Sequence, residues 1–329
     1  MPDTSRRPQP RERAIHPVNP LRILLFGRPV ATEQAEQTRL RKLIALPVFA
    51  SDAISSSAYA TQEILLVLGA AGLWVTHVHL YRALPLDITL AIVALLAVVV
   101  ISYWQTIYAY PTGGGSYIVS KQNIGAVPGL IAGAALLIEY VLTVAVSIAS
   151  GVQNILGTPA LSALAHQQVS VCVFLIVILC YANLRGLKES GPVFAIPTYL
   201  FVTVAGTMII LGIVGPSFGF PLHLEHVNRT LPQEAYSTAT SLTSLALFAV
   251  VLKAFATGCS AMTGTEAIAN CVPEFRQPSS SNAAKTLIMM AVILSALFIG
   301  ITMLAVKFGV VYGHHGRYTS PPVIDQLSS

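Results

Sequence analysis

Asp52, Ser56, Tyr59 and Glu63 are spaced i, i+4, i+7 and i+11, which sets two carboxyls, a hydroxyl and a phenol within about 40° of one helical face. They lie in FASDAISSSAYATQEILL, Phe49 to Leu66, where an apolar helix starts, turns polar and resumes. If the helix unwinds there, its carbonyl oxygens lose their i+4 donors and become free ligands. Carbonyls, hydroxyls and a carboxylate together suit a hard monovalent cation, which needs oxygens to replace its water. An amino-acid carboxylate asks instead for a glycine-rich half-helix amino end, and the stretch has no glycine before Gly69.

Two further groups carry chemistry. Thr263-Gly264-Thr265-Glu266 follows an apolar half-helix in the same manner, a second break. Glu139, Thr143, Ser147, Ser150 and Asn154 recur at helical spacing and form one polar stripe. A carboxylate inside a span costs several kcal/mol unless paired, protonated or wet, so Glu139 is either functional or a protonated glutamate bonded to a neighbouring helix. Glu266 has two readings as well: a proton carrier beside the cation, or a cap on backbone N–H groups freed at the break. For Ser55, Ser57 and Ala58 tight helix packing is the better reading.

The elements that hold these groups must cross a bilayer. The chain has 329 residues, is 54% hydrophobic and only 10% charged, with a mean hydropathy of +0.69, far from a soluble domain. The apolar runs have helical length and lack barrel alternation, so the class is all-α and polytopic. Neither Leu43 to Ala50 nor Ile64 to Val75 alone supplies the roughly 20 apolar residues of one span, but joined through the polar patch they do. A span interrupted near its middle by polar and small residues is the sequence pointer to the binding site of a secondary transporter.

Seven spans are expected, at about 43–72, 85–110, 128–157, 168–184, 191–215, 241–270 and 283–308. Residues 1–40 read as a polar cytoplasmic tail, 41–215 as a first five-helix repeat, 216–240 as an extracellular loop, and 241–329 as a partial second repeat. With the amino terminus inside, fourteen Lys and Arg fall on the cytoplasmic side and three outside, which satisfies the positive-inside rule. The two breaks lie five spans apart, hence antiparallel, as an inverted repeat requires. The chain is expected to be either an amino-terminal fragment of a longer transporter or a truncated product.

Other motifs give less. Gly113 to Gly115 lacks the lysine and preceding strand of a nucleotide loop and reads as a tight turn, followed by SYIVSKQNIG as a short helix on the cytoplasmic face. Gly129-x-x-x-Gly133 is a close-packing signature in lipid. Pro197 predicts a kink. Lys253 either snorkels outward or pairs with an acid. His223 and His226 lack a third ligand, and the four cysteines read as packing residues, so no resident metal and no cofactor are expected. Nor is a catalytic constellation or nucleic-acid binding implied.

SDAISSSAYATQEILLVLG, YPTGGGSYIVSKQNIG, EYVLTVAVSIASGVQN, NLRGLKESG and TGTEAIANCVPEFRQP, in this order, resemble the amino acid-polyamine-organocation superfamily, and within it the potassium importers of the KimA type, relatives of the KUP transporters. The resemblance implies a LeuT-like inverted-repeat fold in the plasma membrane, potassium as the cargo and protons as the coupling partner, with a homodimer as the suggested assembly. It matches Asp52, Tyr59, Thr263 and Glu266 to the family's motif positions. At the third-helix acid this chain has Glu139 where the family type has aspartate. Asp52, Ser56, Tyr59 and Thr263 are therefore the expected ion ligands, and Glu266 with Glu139 the expected proton-handling pair. An amino acid or polyamine permease, and a non-transporting remnant or sensor, are the alternatives.

Overall fold

The computed structural model describes residues 39–73, 78–157, 166–184, 187–215 and 243–310, with a two-residue antiparallel ladder pairing His314–His315 with Tyr318–Thr319. The tail, the 216–240 loop with His223 and His226, and Arg185 lie outside the described residues. The rest is helical: α1 Lys42–Ala70, α2 Val78–Ala109, α3 Gly115–Asn123, α4 Ala126–Gly157, α5 Gln168–Leu184, α6 Leu187–Val214, α7 Ser244–Gly258, the single turn α8 Ala267–Asn270, and α9 Ser279–Phe308. Among the described residues six helices are long and apolar enough to cross a membrane, and α5 is a shorter apolar helix with the expected bounds. The protein is an all-α polytopic membrane protein.

The expected second span begins at 85, yet α2 begins at Val78 and carries Pro85 inside it. Apolarity marks the part of a helix that meets hydrocarbon, whereas His79 and Arg82 extend the same helix beyond it. The short helix expected after the triple glycine is present as α3. Gly129 and Gly133 do serve close packing, but against α3: a Cβ on Gly129 would lie 2.8 Å from Lys121 Cβ, and one on Gly133 3.3 Å from the Tyr117 ring.

The centre of the bundle is α1, with 61% of its most apolar 18 residues buried against 6% in α4. It packs on α9, α6 and α7. Pro47 sits inside α1 and has no N–H to give the Leu43 carbonyl four residues earlier. The Tyr199 hydroxyl of α6 donates to that carbonyl instead, at 2.7 Å. At the far end of α6, Lys307 Nζ of α9 donates to the Gly212 and Ile213 carbonyls at 3.0 and 3.3 Å, so an intramembrane lysine satisfies a helix terminus.

Two apolar clusters lie on either side of the polar patch. One gathers Leu46, Phe49, Ala50 and Ile54 of α1 with Phe275, Leu287 and Leu294. The other gathers Ile64, Leu65 and Leu68 with Ile88, Ile92, Ala254 and Phe298. Within the enclosed part of the bundle, Thr302 Oγ1 of α9 lies 2.9 Å from Thr61 Oγ1 of α1 and 3.1 Å from Thr89 Oγ1 of α2, all fully buried. Small hydroxyl residues let helices approach closely and hydrogen-bond where lipid offers no hydrophobic drive.

Candidate functional site

The two polar interruptions turn out to be different structures. The expected unwinding of the first span does not occur, since α1 runs unbroken for 29 residues through Asp52 to Glu63. The reason is local. Between Val48 and Leu68 there is neither proline nor glycine. The serine hydroxyls attach to the helix without replacing its ladder: Ser55 and Ser56 donate to the Asp52 carbonyl at 2.9 and 3.0 Å, and Ser57 to that of Ile54 at 2.7 Å. The first span thus offers side-chain oxygens, and freed backbone carbonyls are not among its ligands.

The second interruption is a real break. α7 ends at Gly258, a 3₁₀ turn covers Cys259–Met262, Thr263 is extended, and α8 resumes for one turn at Ala267. Gly264 holds φ at +78°, which favours a residue without Cβ, and a Cβ there would lie 2.7 Å from Asp52 Oδ2. The backbone of the break therefore rests directly against the first-span carboxylate. The Thr263 hydroxyl donates to the Ser260 carbonyl at 2.8 Å and that of Thr265 to Met262 at 2.9 Å, tying the turn to itself.

Between the two runs a hydroxyl cluster. Ser56 Oγ lies 3.1 Å from the Tyr59 hydroxyl and 3.0 Å from Thr263 Oγ1, while Ser147 Oγ of α4 donates to Asp52 Oδ1 at 3.1 Å. Ser56, Tyr59 and Thr263 have three hydroxyl protons to share among four contacts: with one another through Ser56, and with the Asp52 and Ser260 carbonyls. One proton is therefore shared between two acceptors, in a place with a carboxylate alongside. Such an oxygen cluster presents lone pairs that a positive charge could accept.

Tyr59 and Thr263 also line a cavity of about 500 Å³ with Ser260, Thr143 and Glu139. The remaining wall is apolar: Ala135, Ile138, Leu142 and Val146, all from α4. The polar stripe of α4 thus faces α1 and the break. Asp52, Glu139 and Glu266 are close enough to feel one another's charge.

Glu266 is 4% exposed, its Oε1 has no hydrogen-bond partner, and its side chain makes no cap bond to α8. The carboxyl bonds the backbone N–H of its own residue at the break and the Tyr140 hydroxyl, so the capping and proton-carrier readings each keep an observation. Lys253 is exposed on α7, which fits the outward reading. Glu63 is half-buried and, among the described residues, takes no part in the cluster.

Several participants were not singled out from sequence. Ser260, whose Oγ is buried and unpartnered, stands three residues before Thr263. Asn270 stands one helical turn after Glu266 and donates to the Tyr140 hydroxyl at 2.5 Å. Helical spacing from Glu266 would have found Asn270, whereas Tyr140, adjacent to Glu139 and so about 100° round the helix from it, carries no such signal. The pairing of Arg39–Arg41 with the segment after the break has no such signal: Leu40 N donates to Glu274 O at 2.9 Å and Arg276 N to Leu40 O at 3.2 Å, with the Phe49 and Phe275 rings 5.4 Å apart.

A family model described as amino acid permease matches residues 50–311, a range that contains both interruptions. The chain is 42% identical over 292 residues to the potassium transporter KimA of Bacillus subtilis, an alignment covering 88% of this chain and 45% of that protein. It therefore spans about half the length of the curated relative it matches.

Proposed function

The chain belongs to the amino acid permease family, and from that premise we propose that it works in a proton-coupled potassium importer that operates by alternating access. The observation that carries this reading is the oxygen cluster of Ser56, Tyr59 and Thr263 beside the Asp52 carboxylate. A dehydrated potassium ion needs several oxygens at once, and this cluster gathers them across two helices. Asp52 supplies charge, the three hydroxyls supply dipoles, and Gly264 brings the break close enough for both walls to share one ion. Glu266 and Glu139 handle protons: a buried carboxyl that gives up its proton when the cation arrives couples the two gradients. The potassium cargo of the Bacillus relative supports the choice of ion.

In this reading residues 1–40 form a cytoplasmic tail, 41–215 a first five-helix repeat, and 241–329 the start of an inverted second repeat in the cell membrane. α1 and the α7–α8 pair are then the matched halves that rock against the rest. The test is rubidium-86 uptake in cells lacking other potassium importers, with the gene's full reading frame expressed. Uptake competed by potassium and driven by acid outside is expected, and absence of uptake at normal membrane abundance contradicts the reading.

One observation favours a second reading. The cavity of about 500 Å³ is larger than a bare ion requires, and α4 lines most of it, with the apolar Ala135, Ile138, Leu142 and Val146 among its side chains. An amino acid or polyamine permease would use that space. Labelled amino-acid uptake that potassium does not compete would select it.

A further inference from the structure

The triple glycine Gly113–Gly115 has no part in the cation cluster, yet all three residues hold positive φ, at +75°, +93° and +42°. The turn they make joins α2 to α3 and lies directly on Asn270, the last residue of α8. The Gly114 amide donates to the Asn270 carbonyl at 3.1 Å. A Cβ on Gly113 would lie 2.5 Å from that carbonyl oxygen and 2.9 Å from Pro273 Cδ, and one on Gly115 would collide with Asn270 Oδ1. Only a bare backbone fits here.

On its other side Asn270 reaches α4, its Nδ2 donating to the Tyr140 hydroxyl at 2.5 Å. Its own amide donates to the Glu266 carbonyl at 3.0 Å, so the residue that touches the loop and α4 also closes the turn that begins at Glu266. Oδ1 of Asn270 is buried without a partner. The closed arrangement therefore leaves one acceptor unsatisfied, and separation of the loop would let water reach it. A seat made largely of bare backbone, with one amide bond and one side-chain bond, can part as a unit.

We propose that Asn270 is a positioning residue that latches the turn carrying Glu266 to the Gly113–Gly115 loop and to α4, and that release of this latch accompanies movement of the second break. The transport role of that movement rests on the proposed importer, but the latch itself does not. Cys271, the next residue, is a native reporter. Burial first, and the neighbouring Glu274 second, push its thiol up to about 11, so it alkylates slowly while the latch is shut.

The experiment follows N-ethylmaleimide labelling of Cys271 in membranes, in the full chain with Cys172→Ser, Cys180→Ser and Cys259→Ala. Tyr140→Phe removes one hydroxyl, and with it the bonds from α4 to Asn270 and to Glu266, without changing shape, and Gly115→Ala forces the loop off Asn270. Loss of the Tyr140 bonds in a two-position equilibrium predicts labelling at least about fivefold faster in Tyr140→Phe, with a melting temperature that falls by no more than a few degrees. Gly115→Ala is expected to exceed that. If Tyr140→Phe labels no faster than the background, or faster only at temperatures where the whole protein begins to melt, the latch is a structural anchor and the proposal is overturned. Tyr140→Phe decides the matter even if Gly115→Ala fails to fold. Rubidium uptake by the same proteins is scored separately: its absence in the unmutated protein sinks the potassium reading and leaves the labelling result standing.

Discussion

The polar stretch of α1 and the polar stretch after α7 look alike in sequence and do opposite things in the fold. Both interrupt an apolar run with small and hydroxyl residues and carry an acid. In α1 the serines bond back to carbonyls three or four residues earlier and the helix continues. After α7 the chain leaves helical geometry at Thr263 and turns at Gly264. What separates them is glycine. Hydroxyl residues alone decorate a helix, and a residue that tolerates positive φ is needed to end one in the middle of a span. On the proposed function the pair would divide the labour: α1 presents side-chain oxygens along an unbroken helix, and the break brings backbone up against them.

Exchanging the two characters gives the largest expected effects. Ser56→Pro would remove a ladder bond from α1 and collide with the Asp52 carbonyl, a loss of about 3 kcal/mol or more, and should abolish accumulation of folded protein in the membrane. Gly264→Ala attacks the other region. The strained φ and the contact with Asp52 Oδ2 together predict a loss of about 1–3 kcal/mol, read as a lowered melting temperature.

Smaller changes sharpen the contrast. Thr302→Val removes the hydroxyl shared by Thr61 and Thr89 and should cost about 0.6–1.7 kcal/mol, with the cation cluster untouched. A fall in ion binding as well would mean that the threonine cluster and the site are coupled. Ser57→Ala loses only a bond to its own helix, so its stability should stay within about 0.5 kcal/mol of the parent. A larger loss would show that the α1 hydroxyls do more than decorate the ladder.

The sequence carried the helices well because apolar length is a strong signal in lipid. It carried the face of Asp52, Ser56 and Tyr59 because helical periodicity survives whether or not the helix breaks. It misread the break in α1 because freed carbonyls and hydroxyl-decorated carbonyls come from the same residue types. Contacts between distant segments were illegible for a different reason. Tyr199 filling the acceptor left by Pro47, Asn270 under the triple glycine, and Leu40 beside Glu274 each depend on which helices become neighbours, and no local spacing encodes that. Of these, only the bare Leu43 carbonyl could have been anticipated, since a proline inside a span always leaves an acceptor to be satisfied.

The central claim is that an unbroken α1 and a broken α7–α8 hold one monovalent cation between them through Asp52. The most direct measurement is the melting temperature of the purified protein against potassium concentration, for the parent and for Asp52→Asn. A bound ion at a hundred times its dissociation constant stabilises by about 2.7 kcal/mol, so the parent should melt at a rising temperature as potassium is added and Asp52→Asn should not. An equal potassium-dependent rise in both proteins, or a rise with amino acids and none with potassium, would contradict the account.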